Sequence, residues 1–292
     1  GFKSYSWAIF GVLFALLWSS ASTATKFGLA VAQPLSIALA RFSLAAGLML
    51  IYAHFIKKHR LPKAKEWLQL SVYALLNITI YLGLYVVAMK DVTAGVGALA
   101  VATNPVFISF LSVFFLKHKL NRHIVIALLL GSLGVLCAAW PLLGHGDMSS
   151  KGLLILLLSM LSYSAGVIYF AQKQWNDLSL LVINGWQTLL GGIFLSPFVI
   201  YYYHSAENLF NTQFWVSVSW LAILVSIAAV QFWLILLRIN AVKAGMWLFL
   251  CPVFGFIIAA IFTKEPLSLH TLFGVILVFC ALYLSKQKTK VE

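Results

Sequence analysis

The chain has 292 residues, of which 62% are hydrophobic and 9% charged, with a formal net charge of +13. A soluble domain carries about 25% charged residues, so this composition excludes an ordinary soluble fold. The basic residues occupy short breaks between apolar runs, which excludes the solvated basic face that nucleic-acid binding requires.

About 20 apolar residues cross the hydrocarbon core as a helix. The sequence offers ten such runs, at 6–26, 35–56, 68–89, 92–116, 123–140, 152–171, 179–203, 214–237, 242–263 and 269–285. The first has the length of a signal peptide, with Ser19–Ser22 as a cleavage region. One lysine alone precedes it and the apolar run continues past that point, so it is expected to be a retained helix. The three cysteines, Cys137, Cys251 and Cys280, lie inside apolar runs without metal-ligand or CxxC spacing and read as packing residues.

Orientation follows from the charges. Of the 20 Lys and Arg, Lys26, Lys90, Lys151 and Lys264 fall on one side, Arg41 lies within a span, and the other fifteen fall on the opposite side. The excess predicts that both termini are cytoplasmic, with outward loops at 141–151 and 204–213.

The halves repeat. Pro105-Val106-Phe107 returns as Pro252-Val253-Phe254, and at the same shift Lys117 falls on Lys264 and His123 on His270. Trp18-Ser19-Ser20-Ala21 is echoed by Tyr163-Ser164-Ala165-Gly166, and Arg41–Gly47 by Trp186–Gly192. The halves divide at 1–146 and 147–292. Five spans in each half turn the second copy upside down. The expected fold is all-α and integral to the membrane, ten transmembrane helices as two inverted five-helix repeats. Such repeats place a substrate site near the midplane and give alternating access by rocking.

Several of these pieces together resemble the EamA family of the drug/metabolite transporter superfamily. They are Leu17–Ser20, Ala40-Arg41-Phe42, Ala94-Gly95-Val96 with Pro105–Phe107, Gly131–Gly134, and Lys264–Leu267. The resemblance implies a ten-helix permease of the bacterial inner membrane, moving small organic molecules and most often exporting amino acids or related metabolites. Where the family often has Gly-Glu after the fourth span, this chain has Lys117-His118, so contacts of that glutamate do not carry over.

All seven carboxylates fall at span ends, in loops or at the terminus. Proton relays and sodium sites usually place one at mid-membrane, so proton coupling through a buried carboxylate is not expected. Neither an intramembrane His–carboxylate site nor a Gly-rich nucleotide loop is present. The chain is therefore read as a non-enzyme without cofactor or metal. Its partners are a small-molecule substrate and the bilayer, and it acts as a monomer or a homodimer.

Arg41, the one charge well inside a span, either ties helix ends together or attracts a carboxylate at the outer vestibule. Lys26 is its companion there, with a stronger lean toward an interfacial anchor. Polar residues recur on single faces: Asn77, Tyr81 and Tyr85; Ser19, Ser22 and Lys26; Asn184, Gln187 and Gly191; Gln231 with Arg238. Ordinary interhelical hydrogen bonding accounts for any one of them, whereas the set points to a central cavity. Trp18, Tyr81, Asn104, Tyr163, Gln231 and Trp247 are the expected substrate-lining residues, and Pro105 and Pro252 the expected gating residues. The reading is a secondary transporter or facilitator. Its alternatives are an importer or exchanger of a nucleoside-like or sugar metabolite, and a structural or sensory membrane protein.

Overall fold

The computed structural model describes residues 4–143, 149–262, 264 and 268–286. Residues 144–148 of the expected outward loop, Glu265–Leu267 of the family motif, and Lys3, Lys288, Lys290 and Glu292 lie outside them. Among the described residues there is no strand, and the chain forms ten helical rods. These are α1 Ser4–Leu29, α2 Pro34–Ile56, α3 Ala64–Ala88, α4 Ala94–Phe115, α5 Arg122–Leu143, α6 Ser150–Gln172, α7 Leu180–Tyr202, α8 Thr212–Ile239, α9 Ala241–Phe262 and α10 Leu269–Lys286.

Eight of them are long and apolar enough to cross a membrane. The other two are α5 and α10, whose apolar stretches are shorter, Arg122–Cys137 and Leu272–Ser285. Among the described residues, length and composition thus mark eight of the ten expected spans. α5 and α10 pack on each other, and Gly134 of α5 is what lets them approach. A Cβ there would lie 2.7 Å from the Gly274 carbonyl oxygen.

The repeat seen in the residues reappears in four of the five helix defects among the described residues; the fifth, a π turn at Ile51–Ile56 in α2, has no counterpart in α7. A π turn occupies Leu75–Ile80 in α3 and Leu221–Ala229 in α8; a 3₁₀ turn occupies Val101–Thr103 in α4 and Met246–Phe249 in α9. Each pair sits at matching places in the two halves. The 3₁₀ turns have a local cause. Proline lacks an N–H and clashes one turn back, and each turn lies just before a proline. Pro105 opens the segment Asn104–Phe115, while the Asn104 N–H satisfies the Val101 carbonyl through the tighter bond. At each expected gating proline the helix thus changes type just ahead of the ring.

Carbonyls displaced by the π turns are bonded from neighbouring helices. Ser162 Oγ donates to the Leu76 oxygen at 2.7 Å, and Asn184 Nδ2 to the Ser226 oxygen at 2.9 Å. Side-chain partners of this kind make irregular backbone tolerable at membrane depth. α2 and α7 pack antiparallel, with Phe42 against Gly192 and Leu50 against Gly185.

Candidate functional site

α1, α3 and α6 each bring one aromatic ring to the centre of the bundle. Ring centroids lie 4.6 Å apart for Tyr81 and Tyr163, 5.9 Å for Trp18 and Tyr163, and 6.3 Å for Trp18 and Tyr81. Trp233 of α8 stacks on Tyr163 at 6.0 Å and on Phe14 at 4.7 Å. Offset and tilted contacts at these separations suit the ring quadrupole, and the four central rings are all buried.

Against this cluster lies a small cavity lined by Trp18, Ser19, Ser22, Arg41, Tyr81, Tyr85 and Cys251, among others. Its free volume for a water centre is about 10 Å³, the threshold for holding a single water molecule. The walls are drawn together and leave no room for a metabolite.

Arg41 is 4% exposed. Its Nε donates to Ser226 Oγ at 2.7 Å, and its guanidinium carbon stands 5.8 Å from the Phe42 ring centre. Among the described residues both ion pairs belong to Arg60, so no carboxylate neutralises Arg41. Ser226 is itself the end of a buried polar chain. Asn77 Nδ2 donates to Gln187 Oε1 at 2.9 Å, Gln187 Nε2 to Asn184 Oδ1 at 3.2 Å, and Asn184 Nδ2 to the Ser226 carbonyl. This chain crosses α3, α7 and α8 and joins the π turns of α3 and α8. It fixes one edge of Arg41 while the cavity lies beside it.

Two groups in the aromatic cluster are left without partners among the described residues: the Tyr163 hydroxyl and the Trp233 indole N–H. The Tyr73 hydroxyl, also buried, is in the same state. A buried polar group without a partner costs about 1–3 kcal/mol.

Both faces are clasped. On one, Gln33 of the α1–α2 loop holds the α7–α8 loop. Gln33 Nε2 donates to the Tyr202 oxygen at 2.9 Å, while its Oε1 accepts from the His204 N–H and from Asn208 Nδ2, each at 2.8 Å. On the other, Arg60 of the α2–α3 loop holds Asp177 of the α6–α7 loop at 2.7 Å and Glu66 at 2.8 Å. In the order of the repeats these are the same two loops with their roles exchanged, one clasp made of amides and the other of charges. The Arg60 guanidinium, by donating to it, holds the Asp177 carboxyl below its usual range.

The model of the EamA-like transporter family matches residues 5–140 and again 150–286. The chain belongs to the EamA-like transporter family. It is 26% identical to the uncharacterized transporter YvbV of Bacillus subtilis over 95% of this chain and 90% of that one. To Protein PecM of Dickeya dadantii it is 27% identical, over 91% and 87%. A solved crystal structure superposes with a TM-score of 0.77 at 18% identity over 97% of each chain, a likeness of fold.

In this EamA-like transporter the sequence-derived residues separate into two groups. Trp18, Tyr81 and Arg41 line the central cavity, and Tyr163 packs on the first two. Asn104 sits elsewhere, fully buried, accepting from Ser164 Oγ at 3.0 Å and donating to Met160 Sδ at 3.2 Å, so it fastens α4 to α6. Trp247 lies against Gly11 of α1, and Cys251, one turn on, reaches the cavity wall instead. Gln231 is half-buried and outside the cavity lining. Lys26 donates to the Met89 carbonyl oxygen at 2.8 Å, which anchors the end of α1 to the end of α3. Pro105 and Pro252 follow the 3₁₀ turns described above.

Trp233, Ser226 and Cys251 complete the site. Cys251 carried a signal, its helical spacing from Trp247. The other two lie in or beside the π turn of α8, whose shifted register no residue pattern announces.

Proposed function

We propose that this EamA-like transporter is a secondary transporter or facilitator of the bacterial inner membrane, exporting amino acids or related small metabolites by alternating access. The observation that carries this reading is the closed central cavity where Trp18, Tyr81, Tyr163 and an uncompensated Arg41 meet. An apolar body fits the rings, and the guanidinium offers charge-assisted donors to a carboxylate. Export is the direction that the family resemblance implies.

The same reading takes the two matched halves as an inverted pair of five spans each, with α5 and α10 completing ten. Antiparallel packing of the equivalent helices α2 and α7 supports it, as do the paired helix defects and the clasps exchanged between faces. The basic face is cytoplasmic, with both termini there. A reporter fused after Lys286 should be active only in the cytoplasm.

The deciding experiment compares metabolites retained by cells with and without the protein, and then with Trp18→Ala. Selective depletion of one class of compound by the wild type, lost in the variant, supports the assignment. Identical metabolite profiles in all three strains would contradict it.

A further inference from the structure

Where α4, α6 and the α8–α9 elbow meet on the basic face there is a second cavity, of about 430 Å³. Its size falls within the range of about 300–1,000 Å³ usual for ligand sites. Phe170, Trp175 and Leu237 form an apolar wall, and Lys173, Arg238, His118 and Asn176 a polar one. Among the described residues no carboxylate lines it. The nearby Glu66 and Asp177 are both held by Arg60.

The two cations are only partly used. Arg238 Nη2 donates to the Leu178 carbonyl oxygen at 2.7 Å, and Lys173 Nζ stands 5.0 Å from the Tyr169 ring centre. Large apolar side chains lie exposed at the ends of the same helices: Ile239, which also lines the cavity, at 47%, and Phe115 at 59%. A soluble anion has no use for that surface, whereas a lipid acyl chain does.

We propose that this cleft binds the phosphate group of an anionic phospholipid. Lys173 and Arg238 pair with the phosphate oxygens, and the acyl chains lie along Ile239 and Phe115. Basic pockets between membrane helices on the cytoplasmic side recognise anionic headgroups in this way. The lipid has a mechanical consequence as well. Lys173 and Asn176 belong to the α6–α7 loop and Arg238 to the last turn of α8, beside the α8–α9 elbow, and Asn176 Nδ2 also approaches Glu66 Oε1 at 3.5 Å. A headgroup bridging Lys173 and Arg238 therefore ties the elbow to the charged clasp and holds this face closed.

The test uses the purified full chain in neutral detergent, with lipid adducts counted by native mass spectrometry and thermostability measured in parallel. The probes are phosphatidylglycerol, phosphatidylcholine and inorganic phosphate. Phosphatidylglycerol should form a retained adduct and raise the melting temperature, while the other two do neither. Lys173→Gln and Arg238→Gln should each weaken phosphatidylglycerol binding by about ten-fold or more, as loss of one charged hydrogen bond does. Lys57→Gln, on the same face, should not. Among the described residues the Lys173 side chain makes only the ring contact, so its variant keeps the fold even if loss of the Arg238–Leu178 bond does not. Equal binding of phosphatidylcholine, wild-type binding by Lys173→Gln, or stabilisation by inorganic phosphate as large as by the lipid would overturn the proposal.

Discussion

Arg41 and Ser226 are joined across α2 and α8 by a 2.7 Å hydrogen bond from Nε to Oγ. The bond orients a guanidinium buried without any carboxylate partner among the described residues. An ionised side chain at the centre of a membrane helix costs about 2.5–3.5 kcal/mol on insertion scales. A residue that served stability alone would be better replaced by an apolar one. Arg41→Leu should therefore hold or raise detergent thermostability while lowering flux of carboxylate-bearing solutes by about ten-fold or more, the worth of a charge-assisted contact. Equal loss of flux and melting temperature would make Arg41 a structural tie instead.

Tyr163 gives a parallel case. Its hydroxyl is buried without a partner among the described residues, so Tyr163→Phe removes a desolvated group and should stabilise the protein by up to about 1–3 kcal/mol. If substrate uses the hydroxyl, apparent affinity falls in the same variant while the ring packing survives. A destabilised Tyr163→Phe would show that the hydroxyl has a partner in the folded protein.

The charged clasp should respond to pH and salt, and the amide clasp should not. Asp177 is held below its usual range by the Arg60 guanidinium. Its contribution is therefore complete above the ordinary carboxylate pKa and is lost as pH falls through the lowered one. Asp177→Asn should abolish that acid-side loss and increase access of water-soluble reagents from the basic face. Gln33→Ala should increase access from the opposite face without altering the pH profile. Matching pH profiles for both variants would contradict the division of roles.

Much of the site could be read from the residues. Trp18 and Tyr163 echo each other between the halves, Tyr81 shares a polar face with Asn77 and Tyr85, and Arg41 is the charge inside a span; the structure gathers these four. Asn104 looked equally eligible but is spent on Ser164 and Met160, a pairing between helices far apart in sequence. Gln231 shared a regular helical face with Arg238, yet the π turn just before it brings Trp233 to the cluster. Lys26 turned out to bond a backbone carbonyl at the end of α3. Contacts between distant helices and changes of helix type leave no periodicity to read.

The matched prolines supply a fourth prediction. Pro105→Ala and Pro252→Ala restore an N–H and remove the clash that tightens Val101–Thr103 and Met246–Phe249. Each variant should insert and fold while lowering flux. Initial rates and melting temperatures for both variants decide it, and wild-type rates in both would reduce the prolines to packing features.

The most direct measurement uses a residue the protein already has. Cys251 is fully buried on the cavity wall, and Cys137 and Cys280 lie elsewhere. With those two replaced by serine, Cys251 is the sole thiol, and a small water-soluble thiol reagent can be added to oriented vesicles from either side. Alternating access through this cavity predicts slow labelling from both sides, suppressed by a transported solute. Absence of labelling from either side, in protein that still transports, would show that solute passes elsewhere.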